Sequence, residues 1–337
     1  MARISTVICT SHSPFLFASV ERWEQTFTLR SGKGAFAAGV EMETRPEMDA
    51  KHARVSAAAA VLRDHLRAIN PDVLVIFGDD QQEQFHVQNF PALSIFTGEE
   101  FSGFKVNPKD GPPVAGDWPL RPRTPEHWAT VPGSPKLAKS LLTGLTQRGF
   151  DMAFSAKLND PERGMGHAFM RPHTLLETNY TIPTVPIWIN CYLGPQPTAA
   201  RCYDLGRAVR DLVLEYPEDL SVAIIGSGGL WHTPGAARSY IDEDFDAKML
   251  AGVRAGAARD MAVYFDSRRP KWDPSDERSV REASGGTGIV TGLGSGTGET
   301  RNWIAAVAAV EGRPGTVIDY IPINASPIGT AFAYFSL

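Results

Sequence analysis

Cysteine is scarce in this chain. Its 337 residues hold three, Cys9, Cys191 and Cys202, an odd count whose spacing fits neither a disulfide framework nor a C-x-x-C redox or zinc pattern. They read as free thiols packed as small hydrophobes, in a protein expected to be cytoplasmic. No apolar run approaches the ~18–20 residues that a bilayer span requires. The opening Met1–Ile8 reads as a strand and lacks the basic-then-apolar build of a signal peptide, so no membrane partner is expected. Basic charge is not in excess: 33 Lys and Arg stand against 38 Asp and Glu, a net charge of −5, so no nucleic-acid partner is expected. Nucleotide cradles are missing as well. No G-x-x-x-x-G-K-[ST] stretch occurs, and Gly292, Gly294, Gly296 and Gly298 miss the dinucleotide spacing and follow no clear strand. Ser227 ends a strand in Gly-Ser-Gly-Gly, but the G-x-S-x-G elbow of a serine hydrolase is absent.

What is present is ordinary globular composition, 43% apolar and 9% aromatic, enough for a sizeable core. Short apolar strands are expected at 4–9, 73–77, 92–96, 152–155, 185–191, 221–226, 316–320 and 330–335. Between them, three- and four-residue apolar periodicity predicts helices at 50–69, about 135–148, 201–216, 242–264 and 300–311. In the first of these, Val55, Ala59, Leu62, Leu66 and Ile69 form the apolar stripe, and Asn70-Pro71 stops the helix. Residues 98–135, rich in Pro and Gly, read as an irregular excursion or lid. The alternation predicts an α/β fold: a single large domain over 1–337, its central sheet mostly parallel and flanked by helices.

Sheets of this kind carry ligands at the carboxyl ends of their strands. Three polar segments sit at such ends: Ser11-His12-Ser13, Gly78–Phe85 and Gly226–His232. Of eight histidines, His12 and His232 end strands directly. His52 lies near the start of a helix running antiparallel to the next strand, which returns it to the same sheet edge. Two histidines and one carboxylate are the ligand set of non-heme Fe(II) oxygenases, which leaves metal positions open for substrate and O2. Asp79, Asp80, Glu83, Asp242, Asp244 and Glu299 all qualify as the carboxylate on pattern alone.

Three stretches together resemble the class III extradiol ring-cleavage dioxygenases, in the branch that includes protocatechuate 4,5-dioxygenase and the gallate and methylgallate dioxygenases. They are the opening Met1-Ala-Arg-Ile-Ser-Thr-Val-Ile-Cys-Thr-Ser-His12-Ser-Pro14, the pair Pro217–Val222 and Gly226-Ser-Gly-Gly-Leu-Trp-His232, and Gly296-Thr-Gly-Glu299-Thr-Arg-Asn-Trp303. The resemblance spans nearly the whole chain. It implies that His12 is the first iron ligand, Glu299 the carboxylate ligand, His232 the general acid/base and His167 a further active-site histidine that binds substrate. One position departs: where the family has Asn-Asp-His-x-x-x-Phe, this chain reads Asp79-Asp80-Gln81-Gln82-Glu83-Gln84-Phe85, with Gln81 in the place of the second iron histidine.

The favoured expectation is that His52 supplies the missing imidazole with Gln81 close by. Direct ligation by Gln81, or a different or absent metal, stand as alternatives. The resemblance further implies an Fe(II)-dependent dioxygenase that opens a small catecholic or trihydroxybenzoate-like ring with O2. A homo-oligomer is expected, and a small accessory subunit is a further partner the family suggests. A non-oxidative, hydrolase-like metal enzyme on the same fold and a non-catalytic binding protein are the competing readings. Arg54, Arg171 and Arg301 are candidates to pair a substrate carboxylate, each read first as structural, and Trp231 is a candidate for shaping the pocket.

Overall fold

The computed structural model describes residues 1–86, 88–105, 124–193, 196–233, 239–268 and 296–337. An eight-stranded sheet runs through the molecule in the order β6-β3-β7-β2-β8-β1-β10-β9. Its centre is four parallel neighbours: β7 (Thr184–Ile189), β2 (Val73–Gly78), β8 (Ser221–Ser227) and β1 (Arg3–Thr10). On one side β3 (Leu93–Phe96) joins antiparallel to β7 and carries β6 (Ala153–Ser155) parallel to itself. On the other, β10 (Ile328–Ser336) pairs antiparallel with β1, and β9 (Thr316–Ile323) with β10.

Both faces of the sheet are covered, and for that reason β2, Val-Leu-Val-Ile-Phe-Gly, is buried at every position. Val73, Val75 and Phe77 face one layer with Val7 and Cys9 of β1, while Leu74, Ile76 and Ile8 face the other. The first layer is built from α3 (Pro135–Gln147), α5 (Ala199–Glu215), α6 (Glu243–Ala255), α7 (Ala258–Ser267) and α8 (Thr300–Ala308). The second holds α1 (Val20–Ser31), α2 (Arg45–Ile69) and α4 (His167–Leu175). All three cysteines are buried and free. None of the described helices is long and apolar enough to cross a membrane.

Local signals explain the boundaries. The Thr44 N–H is held by Glu47 Oε2 at 2.7 Å, so α2 starts before the apolar stripe does, at Arg45 rather than 50. It ends where Asn70 turns left-handed before Pro71, as expected. The single helix expected over 242–264 is two, because Gly256 adopts φ 64° and closes α6 before α7 begins. The expected excursion at 98–135 carries regular structure at both flanks: β4 (Glu100–Phe104) pairs antiparallel with β5 (Trp128–Pro132), and 106–123 lie outside the described residues. Most of the glycine-rich stretch up to 295 also lies outside them. Two helices had no sequence expectation, α1 and α4.

The α5 and α8 helices meet at Gly206. A methyl group there would fall on the Ala305 carbonyl, and backbone leaves no room to yield. Gly206→Ala is predicted to destabilise the fold by about 1–3 kcal/mol, as overpacking of a tight contact does. Urea unfolding of the variant checks this, and an unchanged midpoint would contradict the helix contact described.

Candidate metal centre

Each central parallel strand delivers a polar side chain to the same edge of the sheet. Beyond β1 comes His12, beyond β2 come Asp79 and Gln81, beyond β7 comes Tyr192, and β8 ends in Ser227 and continues to His232. Two residues arrive from outside the sheet: His167 opens α4, and Glu299 sits in the 3-10 turn that leads into α8. His12, Asp79, His167 and Glu299 place their donor atoms within 4.8 Å of one another, and all four side chains are buried.

The imidazole orientations follow from what each Nδ1 touches. The Ser227 hydroxyl donates to the Ala168 carbonyl at 2.6 Å, so it receives the Nδ1–H of His12 at 2.9 Å. His167 Nδ1 donates to the Glu83 carboxylate at 2.7 Å, and His232 Nδ1 to the Leu230 carbonyl at 2.9 Å. In all three the proton is on Nδ1 and the Nε2 atom faces inward. His12 Nε2 lies 3.2 Å from Glu299 Oε2 and 3.9 Å from Asp79 Oδ1. His232 Nε2 lies 3.4 Å from Glu299 Oε1. The His12 and His167 rings meet edge to face at 4.6 Å.

The two carboxylates are held very differently. Glu299 receives the Gly229 N–H at 3.0 Å and the Tyr192 hydroxyl, and Gln81 Nε2 approaches it at 3.3 Å. Burial opposes its ionisation, but His232 and His12 outweigh that and hold it well below the usual carboxylate range. Gly228 makes the approach possible: at φ 119°, a side chain there would meet Glu299 Oε2 at 2.7 Å. Asp79 has neither aid. It is 0% exposed, and both its oxygens lack a hydrogen-bond partner. Burial first, and then Glu299, Glu83 and Asp80, push it well above the ordinary range. His12 is pulled down to about 4 by burial. Burial works in the same direction on His232, but Glu299, the Leu230 carbonyl and Asp246 overcome it and raise that imidazole.

This geometry passes a test for a cation. Inward-facing imidazole nitrogens and two carboxylates are collected out of water, and one carboxylate has no proton donor of its own. Such a set is stable only with protons or a metal ion in its midst. Imidazole nitrogen and carboxylate oxygen donors suit a first-row divalent ion.

The expected residues are placed as follows. His12, Glu299 and His167 are brought together, and His232 touches Glu299. Gln81 borders the cluster through its amide nitrogen, which donates to the Tyr192 hydroxyl at 2.7 Å and lies 3.3 Å from His167 Nε2. His52 requires correction: it is not in the cluster. Its ring packs against Trp23 at 5.8 Å, on a turn of α2 directed to that helix's contact with α1. The helix-end argument places the right edge of the sheet but not the rotation of the helix about its own axis.

Asp79 was one of six candidate carboxylates with nothing to single it out. Tyr192 and the anchoring roles of Ser227 and Glu83 had no sequence signal beyond their positions at or after strand ends. Arg54 pairs with Asp319, while Arg171 donates to the His12 carbonyl and Arg301 to Gln196. Trp231 packs on Tyr240 and Phe245.

Residues 6–318 match the family model described as the catalytic LigB subunit of aromatic ring-opening dioxygenase, and the chain belongs to that family. It is 28% identical over 330 residues to a 2,3-dihydroxyphenylpropionate/2,3-dihydroxicinnamic acid 1,2-dioxygenase of Photorhabdus laumondii, covering 90% of this chain and 87% of that one. It is 32% identical over 148 residues to a gallate dioxygenase of Pseudomonas putida, covering 43% of this chain and 37% of that one. A solved structure of an uncharacterized protein from Escherichia coli K12 superposes with a TM-score of 0.50 at 13% identity, over 98% of this chain and 100% of that one, a likeness of fold.

The Glu83–His167 pair gives a pH prediction. Burial alone would raise the Glu83 carboxyl, but His167 and Arg171 outweigh it and lower it from 4.5 to about 2. A depressed carboxylate contributes stability that is present above its unfolded pKa and lost as pH falls through the folded one. Wild type is therefore expected to lose stability between pH 4.5 and about 2, and Glu83→Gln to show a shallower loss across that window. Acid titration followed by circular dichroism measures both slopes. Equal slopes would refute the pairing.

Proposed function

We propose that this protein is a metal-dependent extradiol dioxygenase, with Fe(II) as its metal, that opens a small aromatic ring bearing adjacent hydroxyls and a carboxylate. The supporting observation is the buried cluster at the strand ends, in a chain whose relatives are named for ring-opening dioxygenases. Dihydroxyphenylpropionate and gallate, the substrates in the relatives' names, share adjacent ring hydroxyls and a carboxylate.

His12 and Glu299 would hold the metal. When bound, the metal supplies a Lewis acid for the diol oxygens and a path for electrons from the diol to O2. The protein residues do the rest. His232 is anchored through Nδ1, which leaves Nε2 to take a proton from a ring hydroxyl and return it later. An imidazole ordinarily titrates near ~6.5, which suits it to accept that proton near neutral pH. His167 is held by Glu83 so that its Nε2 faces the cluster, where it accepts a hydrogen bond from substrate. Ser227 fixes the His12 tautomer, and Tyr192 fixes the position of Glu299. Burial of the cluster keeps water from competing for these contacts.

A non-oxidative metal-dependent reaction on the same fold is the second reading, and Gln81 in a histidine's place is the observation that favours it. Oxygen uptake separates the two. Protein loaded anaerobically with Fe(II) and given catechols, gallates and dihydroxyphenyl acids is expected to consume O2 and form a yellow ring-opened product. Bound iron with no uptake on any diol would overturn the dioxygenase reading.

His232→Ala is expected to lower kcat by about 10²–10⁴-fold, the usual worth of a general acid/base, with iron content unchanged. Because the neutral imidazole is the active form, wild-type kcat/KM should rise with pH as that imidazole loses its proton. That limb should vanish in the variant. A variant with the wild-type profile would remove His232 from the mechanism.

A further inference from the structure

The ligand that Gln81 fails to provide is present elsewhere in the same loop. We infer that Asp79, two residues earlier, supplies the metal bond lost with the histidine, so that His12, Asp79 and Glu299 form a one-imidazole, two-carboxylate centre. This deepens the proposed function and rests on its metal-dependent part. Three observations carry it.

Asp79 is fully buried, both its oxygens lack a partner, and its Oδ1 lies 3.9 Å from His12 Nε2. Two ligand atoms on one ion with bonds of about 2.1 Å stand roughly 3 to 4 Å apart, and this pair falls in that range. Gln81, in contrast, turns its amide nitrogen to the cluster, and that atom carries no lone pair to give. It already donates to the Tyr192 hydroxyl, which in turn donates to Glu299. Gln81 thus acts as a hydrogen-bond donor to the centre. His52, the other candidate imidazole, packs on Trp23 instead.

The chemistry of such a centre differs from that of a two-histidine site. Two carboxylates neutralise a divalent ion and form a harder donor set, so the site should accept Mn²⁺ readily as well as Fe²⁺. His167, whose Nε2 lies 3.3 Å from the Gln81 amide nitrogen, would be left in this arrangement to bind substrate.

The test is metal binding on chelator-treated full-length protein. Mn²⁺ is titrated and the free ion read by electron paramagnetic resonance, with anaerobic Fe²⁺ calorimetry alongside. Wild type should bind one equivalent. Asp79→Asn should weaken binding by more than the roughly 10–100-fold that loss of an outer-shell partner costs. Gln81→Ala and His52→Ala should stay within about 10-fold of wild type, as residues that are not ligands.

Thermal melting provides a readout that does not depend on affinity. Asp79→Asn removes a buried, unpartnered carboxylate, so the metal-free variant should melt no lower than metal-free wild type. Added Mn²⁺ should raise the wild-type midpoint and leave the variant's unchanged. Wild-type affinity in Asp79→Asn, a large loss in Gln81→Ala or His52→Ala, or no metal bound by wild type would each overturn the inference. Asp79-dependent metal binding with no diol opened would instead uphold the inference and defeat the ring-opening reading. Diol opening with full metal affinity in Asp79→Asn would do the reverse.

Discussion

Two carboxylates out of water, set beside imidazoles whose Nδ1 protons are already engaged, are the constraint around which this molecule is arranged. Asp79 and Glu299 are 0% and 1% exposed. Burial and the neighbouring Glu299 both disfavour the charged form of Asp79, while Glu299 is held ionised beside it. Glu299 is compensated by a backbone N–H, a phenol and His232. Neither oxygen of Asp79 has a hydrogen-bond partner among the described residues. A divalent ion at the cluster would supply that partner, which would tie stability and chemistry to the same event.

The architecture makes the arrangement rigid. Parallel strands end in register, so loops after β1, β2, β7 and β8 open side by side. The loop after β2 is tied down from within: the Asp80 carboxylate accepts the backbone N–H groups of Glu83 and Gln84 at 2.9 Å and of Phe85 at 3.3 Å. That tie leaves Asp79 behind it in the cluster and turns Glu83 toward His167. Burial of Asp80, with Glu83 nearby, raises its carboxyl to about 7. The anchors of the three imidazoles come from two segments, the end of β8 with Ser227 and Leu230, and the loop after β2 with Glu83.

Much of this was legible in the sequence, and the misses have physical reasons. The β2 segment is buried on both faces, so its unbroken apolar run marked it plainly. Asn70-Pro71 fixed the end of α2, whereas its start required the Glu47 contact to Thr44. His12 and His232 stood out because they close strands, and His167 and Glu299 because their neighbours resemble a known family. His52 failed because sequence spacing reports which end of a helix a residue occupies, while the packing of Trp23 decides what it faces. Asp79 was indistinguishable from Asp80 on paper. Only the folded backbone separates them, since one accepts three N–H groups and the other none. Tyr192 was missed because nothing local marks a phenol that meets its carboxylate partner 107 residues away.

The most direct measurement is anomalous diffraction at the iron edge from crystals of the protein loaded and kept under anaerobic conditions. The account predicts one peak within bonding distance of His12 Nε2, an Asp79 carboxylate oxygen and a Glu299 carboxylate oxygen, with the Gln81 amide nitrogen still turned to Tyr192. A peak bonded to Gln81 or His52, or one that leaves Asp79 without a partner, would contradict it.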